Sequence, residues 1–165
     1  MRIKFETKID NLPKLKATMA QIDGKSVSVG VRGENAWLAG IHEYGLKILV
    51  TEKMRKYLAS QGLYLRAETK YINIPERSFL RNGFDTNKKK IMKDVRILVS
   101  LAVDGRINGD DILNQCGAWL RDAIKDYAIE LKSPENHPFT VERKNSSNPL
   151  VSTGDMIDHI EYEIE

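Results

Sequence analysis

The stretch Ile74-Pro75-Glu76-Arg77-Ser78-Phe79-Leu80-Arg81 decides how this chain is organised. Because proline restricts both its own φ and the residue before it, Pro75 holds Ile74 extended and sets the direction of the residues that follow. The phenylalanine and leucine need burial, whereas the glutamate and the two arginines resist burial unless they are paired. The stretch therefore predicts a strand that ends in a sharp turn, with apolar side chains inside and charged side chains at the rim.

Two long helices are predicted after this stretch, because apolar residues recur there at helical spacing. Asp85 or Thr86 starts the first helix and Gly105 ends it, and the second helix spans residues 110–131. The loop between them is short, which favours two neighbouring, antiparallel helices. Cys116 lies on the apolar stripe of the second helix, where a buried thiol is favoured over a reactive one.

Several short strands are predicted where apolar and polar residues alternate, at Met1–Ile9, Ser26–Arg32 and Ile160–Ile164. Short helices are predicted after Asp10 and over Asn35–Tyr44. Short strands with two long helices, and no regular β–α–β alternation, predict an α+β fold. We expect a curved, mainly antiparallel sheet packed against a two-helix hairpin.

A chain of 165 residues is long enough for one domain with a buried core, so residues 1–165 are predicted to form a single domain. Residues 46–71 are interpreted as a small inserted flap, in which a helix over Glu52–Gln61 follows Thr51 as its cap. Within the flap, residues 63–65 are expected to pair with residues 72–74 as extended segments.

A second irregular segment covers residues 133–147, which are polar, contain two prolines and lack periodicity. Such composition predicts a mobile surface loop. The flap and this loop are the surfaces at which we expect contacts with neighbouring subunits.

The charge balance and cysteine content limit the class of protein. Lysine and arginine number 26 against 23 aspartates and glutamates, a balance that does not by itself indicate a nucleic-acid-binding protein. A single cysteine allows no intramolecular disulfide and fits a reducing compartment. We found neither a signal-peptide pattern nor an apolar segment of bilayer length, so the sequence predicts a cytoplasmic protein without a membrane partner.

Three sequence blocks occur in a fixed order, at Ala39–Gly45, Ile74–Arg81 and Asn148–Gly154. Together they resemble the tail-completion proteins of long-tailed phages and prophages, which are also called neck, head–tail joining or virion morphogenesis proteins. That family typically shows a hydrophobic–glutamate–aromatic–glycine block and then a proline–x–arginine–x–phenylalanine–leucine block. Two helices follow, and a proline–leucine–x–x–threonine–glycine block precedes a final strand. The match covers most of the chain, from about Val27 to Ile164.

The resemblance implies a structural protein that acts in virion assembly, at the head–tail junction or the end of the tail. It implies self-association into a ring, contacts with connector and tail proteins, and a location in the host cytoplasm and then in the virion neck or tail. No enzymatic activity, cofactor or metal is expected. The motif residues that we expect to set the structure are Glu43, Tyr44, Gly45, Pro75, Arg77, Phe79, Leu80, Leu150, Thr153 and Gly154.

The first two blocks are predicted to be joined by an ion pair between Arg77 and a carboxylate such as Glu43. The adjacent residues His42 and Glu43 also suggest that the protein could be an unrecognised hydrolase, which is a further hypothesis. The zinc-protease motif requires a second histidine one helical turn after the first, and position 46 is leucine, so that motif is absent.

A nucleic-acid-binding module is the second interpretation of the chain. Arg77 and Arg81, with Lys88, Lys89 and Lys90 in the predicted first turn of the helix, would form a positive surface for an acidic partner or DNA. Aromatic side chains that stack on bases are not interleaved with these cations. We therefore favour a solvated helix end, and nucleic acid is not the expected partner.

Overall fold

The computed structural model describes residues 10–165, and their architecture is mixed α+β. The predicted strand Met1–Ile9 lies outside the described residues. In chain order the elements are α1 (Leu12–Ile22), β1 (Val27–Val31), a 3-10 turn (Gly33–Asn35), α2 (Ala36–Tyr44), β2 (Leu46–Leu49), α3 (Glu52–Ser60), β3 (Tyr71–Ile74), α4 (Phe79–Val103), α5 (Gly109–Glu130), α6 (Pro138–Lys144), α7 (Asp155–Asp158) and β4 (Ile160–Ile164).

The described strands form two separate antiparallel pairs, β1 with β4 and β2 with β3. The predicted pairing of residues 63–65 with β3 is wrong, because β2 takes that position. The guanidinium of Arg55 explains the difference, since it donates hydrogen bonds to the carbonyls of Leu65 and Arg66 at 3.2 and 2.9 Å. These bonds hold the segment before β3 as turns rather than as a strand.

Helices α4 and α5 pack along each other and are joined by a short loop. The loop between them covers residues 104–108, and Asn108 with Asp111 forms a reciprocal capping box at the start of α5. Gly83, near the beginning of α4, lies against Ile124 in the second half of α5, where a Cβ would stand 3.2 Å from the Ile124 Cα. The two backbones therefore approach closely at the end of the hairpin opposite the loop.

Helix α4 begins at Phe79 and not, as predicted, at Asp85 or Thr86. Poor helix formers such as Gly83 conceal the true start in the sequence. The Phe79 ring is fully buried, so tertiary packing supports a turn of helix that intrinsic propensity does not predict. The earlier start moves Lys88, Lys89 and Lys90 out of the first turn, so these lysines do not oppose the positive end of the helix dipole.

Helix α6 occupies about half of the segment 133–147, where the sequence predicts a loop without regular structure. Pro138 stands in its first turn, where a proline sacrifices no helical hydrogen bond. The His137 ring nitrogen Nδ1 accepts a hydrogen bond from the Phe139 amide at 3.3 Å. Seven residues are too few for the apolar spacing to stand out, which is why the sequence does not reveal the helix.

The core lies between the beginning of α4, the second half of α5 and the C-terminal segment. It contains one apolar residue from each of the three blocks, together with residues of α5, α7 and β4. Its buried members are Ala39, Phe79, Ile124, Ala128, Leu150, Met156, Ile157 and Ile160. Blocks that are far apart in the chain thus share one hydrophobic core.

Gly45 joins α2 to β2 in direct contact with the second block. Its φ is 72°, in the left-handed region, and the residue ends α2 as predicted. A Cβ at this position would lie 2.9 Å from both the Glu76 nitrogen and the Ile74 carbonyl oxygen. Only glycine satisfies both the backbone angle and this close approach.

We expect Gly45→Ala to destabilise the protein more than Gly24→Ala. Gly24 has the same φ of 72° but no atom of the described residues within 4 Å of the methyl group that alanine would add. Both variants therefore carry the cost of a positive φ, which is about 1–2 kcal/mol for a left-handed residue. Only Gly45→Ala adds a collision with backbone. Urea denaturation measures both changes in the free energy of unfolding, and equal changes would contradict the close approach.

Candidate functional site

The buried carboxylate of Glu43 lies at the N-terminus of α4. Its Oε2 accepts a hydrogen bond from the Leu80 amide at 2.9 Å, and its Oε1 accepts one from the Arg81 amide at 3.2 Å. Both amides belong to the first turn, where a helix provides no acceptor. Ser78, at the N-cap position, makes no side-chain bond to them. A residue of α2 therefore caps α4, and its negative charge meets the positive end of the helix dipole.

Arg81 pairs with this carboxylate and with a second one. Its Nε donates to Glu43 Oε1 at 2.9 Å, and its Nη2 donates to Glu76 Oε1 at 2.7 Å and to the Glu43 carbonyl at 2.9 Å. The Ser78 hydroxyl donates to Glu76 and accepts from Arg81. Hydrogen bonds from Ser78 and Arg81 lower the pKa of Glu76, and the bond to Glu43 raises the pKa of Arg81.

The predicted ion pair between Arg77 and Glu43 is wrong, because Arg81 occupies that position. Arg77 is 3% exposed and forms no ion pair with the described residues. Its Nε and Nη2 instead donate to the carbonyls of residues 134–135 at 2.7 and 3.1 Å, and Nη2 also donates to Asn136 Oδ1 at 3.0 Å. Burial lowers the pKa of Arg77, and backbone oxygens take the place of a counter-ion.

Asn136 extends this contact to the third block. Its side-chain amide donates to the carbonyls of residues 148 and 149 at 3.5 and 3.3 Å. Lys144, at the end of α6, donates to the same two carbonyls at 3.0 and 3.2 Å. A continuous set of hydrogen bonds therefore runs from Arg77 to the third block, and no sequence pattern indicates it. We call the contacts of Glu43, Arg77, Arg81 and Asn136 the corner.

The remaining motif residues take different positions. Leu150 is buried in the core, and Leu80 packs at its edge. Tyr44 is 70% exposed, with the Arg81 guanidinium 5.1 Å from its ring centroid. Thr153 and Gly154 form the entry to α7, where the Thr153 hydroxyl donates to the Asp155 carboxylate at 2.6 Å. Pro75 is exposed between β3 and the start of α4.

His42 contributes a neutral imidazole to the corner. The Arg77 amide donates to the His42 carbonyl at 2.7 Å, and Arg77 Nη1 lies 3.4 Å from His42 Nδ1. Burial, together with the charges of Arg77 and Lys144, lowers the pKa of His42 to about 4. The His42 carbonyl holds the second block and the Glu43 carboxylate holds the start of α4, and the hydrolase hypothesis gains no support from this geometry.

The positive surface predicted from five cations is not assembled as one surface. Arg77 is buried, and Arg81 is paired with two carboxylates. Lys88, Lys89 and Lys90 are exposed along α4, with Lys88 Nζ 5.5 Å from the Phe84 ring centroid. The three lysines are therefore the part of this surface that remains available to a partner.

Metal-binding clusters and membrane-spanning helices are both absent from residues 10–165. No group of three or more histidine, cysteine, aspartate or glutamate side chains there is arranged to hold a metal ion. Among the same residues, none of the helices combines the length and the apolar character needed to cross a bilayer. Burial raises the pKa of the Cys116 thiol, which disfavours the reactive thiolate.

Comparison of the chain with protein-family models, with curated proteins and with solved structures finds no match. The resemblance to tail-completion proteins therefore rests on the three sequence blocks, and it remains a prediction.

Glu43→Gln is expected to lower the free energy of unfolding by about 2–3 kcal/mol, because it removes a charge that accepts three hydrogen bonds at the start of α4. Glu142→Gln is the matched control, since Glu142 is exposed on α6, and its effect should stay within about 0.5 kcal/mol. Urea denaturation at neutral pH compares them. Equal losses in the two variants would rule out a supporting role for the Glu43 carboxylate.

The depressed pKa of His42 predicts a pH dependence of stability. Protonation of His42 is harder in the folded chain, with a pKa of about 4, than in the unfolded chain, with a pKa of 6.5. The unfolded state therefore binds more protons as pH falls, so the contribution is complete above pH 6.5 and is lost between pH 6.5 and 4.

His42→Asn keeps a side-chain acceptor near Arg77 and cannot titrate. We expect the loss of stability between neutral pH and about pH 5, a range above the usual pKa of carboxylates, to be smaller in this variant than in the wild type. Denaturation midpoints at the two pH values measure the difference. Identical losses in wild type and variant would show that His42 does not titrate as described.

Proposed function

We propose that this protein is a structural component of a phage or prophage virion, which acts in assembly of the tail or of the head–tail junction. It would do so through self-association and through contacts with connector or tail proteins. The observation that carries the proposal is the ordered set of three sequence blocks that resemble tail-completion proteins. Residues of the three blocks contact one another at the corner and in the core. These contacts provide a physical reason for the blocks to occur together, and they support the proposal.

The residues shared with the family pattern depend on one another in the fold. Glu43 of the first block caps the helix that begins in the second block, and Arg77 of the second block reaches the third through Asn136. Substituting one member leaves a buried polar group without its partner, which costs about 1–3 kcal/mol. Such mutual dependence is expected of motif residues that hold a scaffold together.

The mechanism in this proposal is geometric and requires no catalytic group, cofactor or metal. The corner fixes the α4–α5 hairpin relative to the flap at residues 46–71. The flap exposes large apolar side chains, among them Leu49, which is 60% exposed, and Tyr64, which is 79% exposed. Exposed apolar side chains of this kind mark surfaces that bind other proteins when they lie together.

One finer feature belongs to the same proposal, namely a ring of subunits in the virion. The protein would be present in the host cytoplasm during assembly and then in the virion neck or tail.

The nucleic-acid-binding alternative is less favoured, because two of its five cations serve the corner. Lys88, Lys89 and Lys90 remain exposed, and they would give salt-sensitive binding. Retardation of DNA in a gel at low salt that disappears in a variant without these lysines would favour this alternative.

The proposed function is tested on virus particles from the strain that encodes the protein. Particles are collected after induction and labelled with gold-tagged antibody against the protein, and electron microscopy locates the gold. We expect label at the neck or at one end of the tail. We also expect separate heads and tails when the gene is disrupted. Absence of label from normal particles, or normal assembly of particles when the gene is disrupted, would contradict the proposal.

A further inference from the structure

A groove between α4 and α5 carries an excess of acidic side chains. It encloses about 440 Å³, and of the residues described in its lining only Lys90 is basic. Among its acids only Asp122 forms an ion pair within the described residues, with Arg121 at 2.7 Å. Trp119 and Tyr127 contribute aromatic surface to the wall. The acidic members are Asp94, Asp122, Asp126 and Glu130.

The flap at residues 46–71 has the opposite charge. It contains six lysines and arginines against two glutamates, and none of them forms an ion pair with the described residues. Arg55 is occupied by backbone carbonyls of the flap itself. The other five cations are exposed and without a described counter-ion.

One face of the β2–β3 pair is open and combines apolar and positive groups. In the observed register, Lys47 lies opposite Asn73 and Leu49 opposite Tyr71, and all four side chains are exposed. The Lys47 Nζ lies 4.3 Å from the Tyr71 ring centroid. The alternate residues Ile48, Ile72 and Ile74 are partly buried on the other face. Leucine, tyrosine and lysine therefore project together from the flap.

We propose that the flap of one copy docks into the α4–α5 groove of a second copy. The positive, apolar face of the flap complements the acidic groove with its aromatic wall in both charge and apolar character. Within one copy no ion pair joins the two surfaces among the described residues. In this proposal each pair of copies makes the contact once, so the contact is heterologous: copies add head to tail, and they form a ring where the rotation closes.

A second basic surface competes for the same groove. Lys88, Lys89, Lys93 and Arg96 surround Met92 on α4. That surface offers Met92, which is 53% exposed, and Phe84 beside Lys88, which is 38% exposed. The open face of the flap offers Leu49 and Tyr71 beside its lysine, and these are 60% and 46% exposed. The flap is therefore the better match for a groove with aromatic walls, and the α4 lysines provide a control of equal charge.

The test compares three double variants with the wild type by light scattering over a concentration series at low salt. The flap variant is Lys47→Glu with Lys70→Glu, in which Lys70 is the exposed residue directly before β3. The groove variant is Asp122→Lys with Asp126→Lys, and the control is Lys88→Glu with Lys89→Glu. We expect the wild type and the control to associate alike, and the flap and groove variants to associate at least about tenfold more weakly. Added salt should weaken wild-type association, since the paired charges are exposed.

Mixing neutral variants tests the head-to-tail arrangement, because two charge reversals would attract each other again. Lys47→Gln with Lys70→Gln retains an intact groove, and Asp122→Asn with Asp126→Asn retains an intact flap. At concentrations where neither neutral variant associates alone, the mixture should form one-to-one dimers and nothing larger. The same neutral pairs replace the charge reversals in the first comparison if a reversal unfolds the chain, as circular dichroism would reveal, and they should weaken association by a smaller factor.

Four outcomes would overturn the inference: a wild type that stays monomeric at millimolar concentration, a flap or groove variant that associates normally, a control that loses association, or a mixture that forms larger species. The inference rests on the proposed function for its setting in the virion. The position of the antibody label on particles does not depend on this contact, so failure of the docking contact and failure of the proposed function are separate results.

Discussion

The interaction on which the rest of the structure depends is the contact between the Glu43 carboxylate and the first turn of α4. Burying a carboxylate is costly unless hydrogen bonds and a counter-charge replace water. Here two helix amides and the Arg81 guanidinium provide both. The same contact supplies the acceptors that α4 lacks at its start. Neither the buried charge nor the early start of α4 would be stable without the other.

Arg77 connects this region to the C-terminal part of the chain through hydrogen bonds. It has no carboxylate partner among the described residues, so its charge is met by carbonyl and amide oxygens of residues 134–136. A neutral His42 beside it adds no further positive charge to those of Arg77 and Lys144. Apolar burial of Phe79 and Leu150 accompanies these bonds. Hydrogen bonds that orient the three blocks and apolar burial that stabilises the fold therefore occur in the same region of the structure.

The sequence predicted the parts of the fold that follow from local chemistry. Thr51 caps α3 by accepting the Met54 amide, Gly45 ends α2, and the apolar spacing marks the two long helices. Which arginine would pair with Glu43 was not predictable in this way. Arg77 and Arg81 are four residues apart in the sequence, and only the start of α4 at Phe79 decides which guanidinium meets Glu43.

Long-range contacts account for most of what the sequence did not reveal. Asn136 lies in a polar segment between two prolines, and nothing local indicates that its side chain will join Arg77 to the third block. The open face of β2 and β3 became visible only from the strand register. Spacing along the chain does not encode which distant residue supplies a hydrogen bond.

Amide hydrogen exchange at Leu80 and Arg81 tests the central claim most directly. An uncapped helix leaves the amides of its first turn open to solvent, and they exchange rapidly. If Glu43 accepts both hydrogen bonds, these two amides will exchange as slowly as amides in the middle of α4. Exchange as fast as that of exposed amides would contradict the account, because α4 would then begin without its cap.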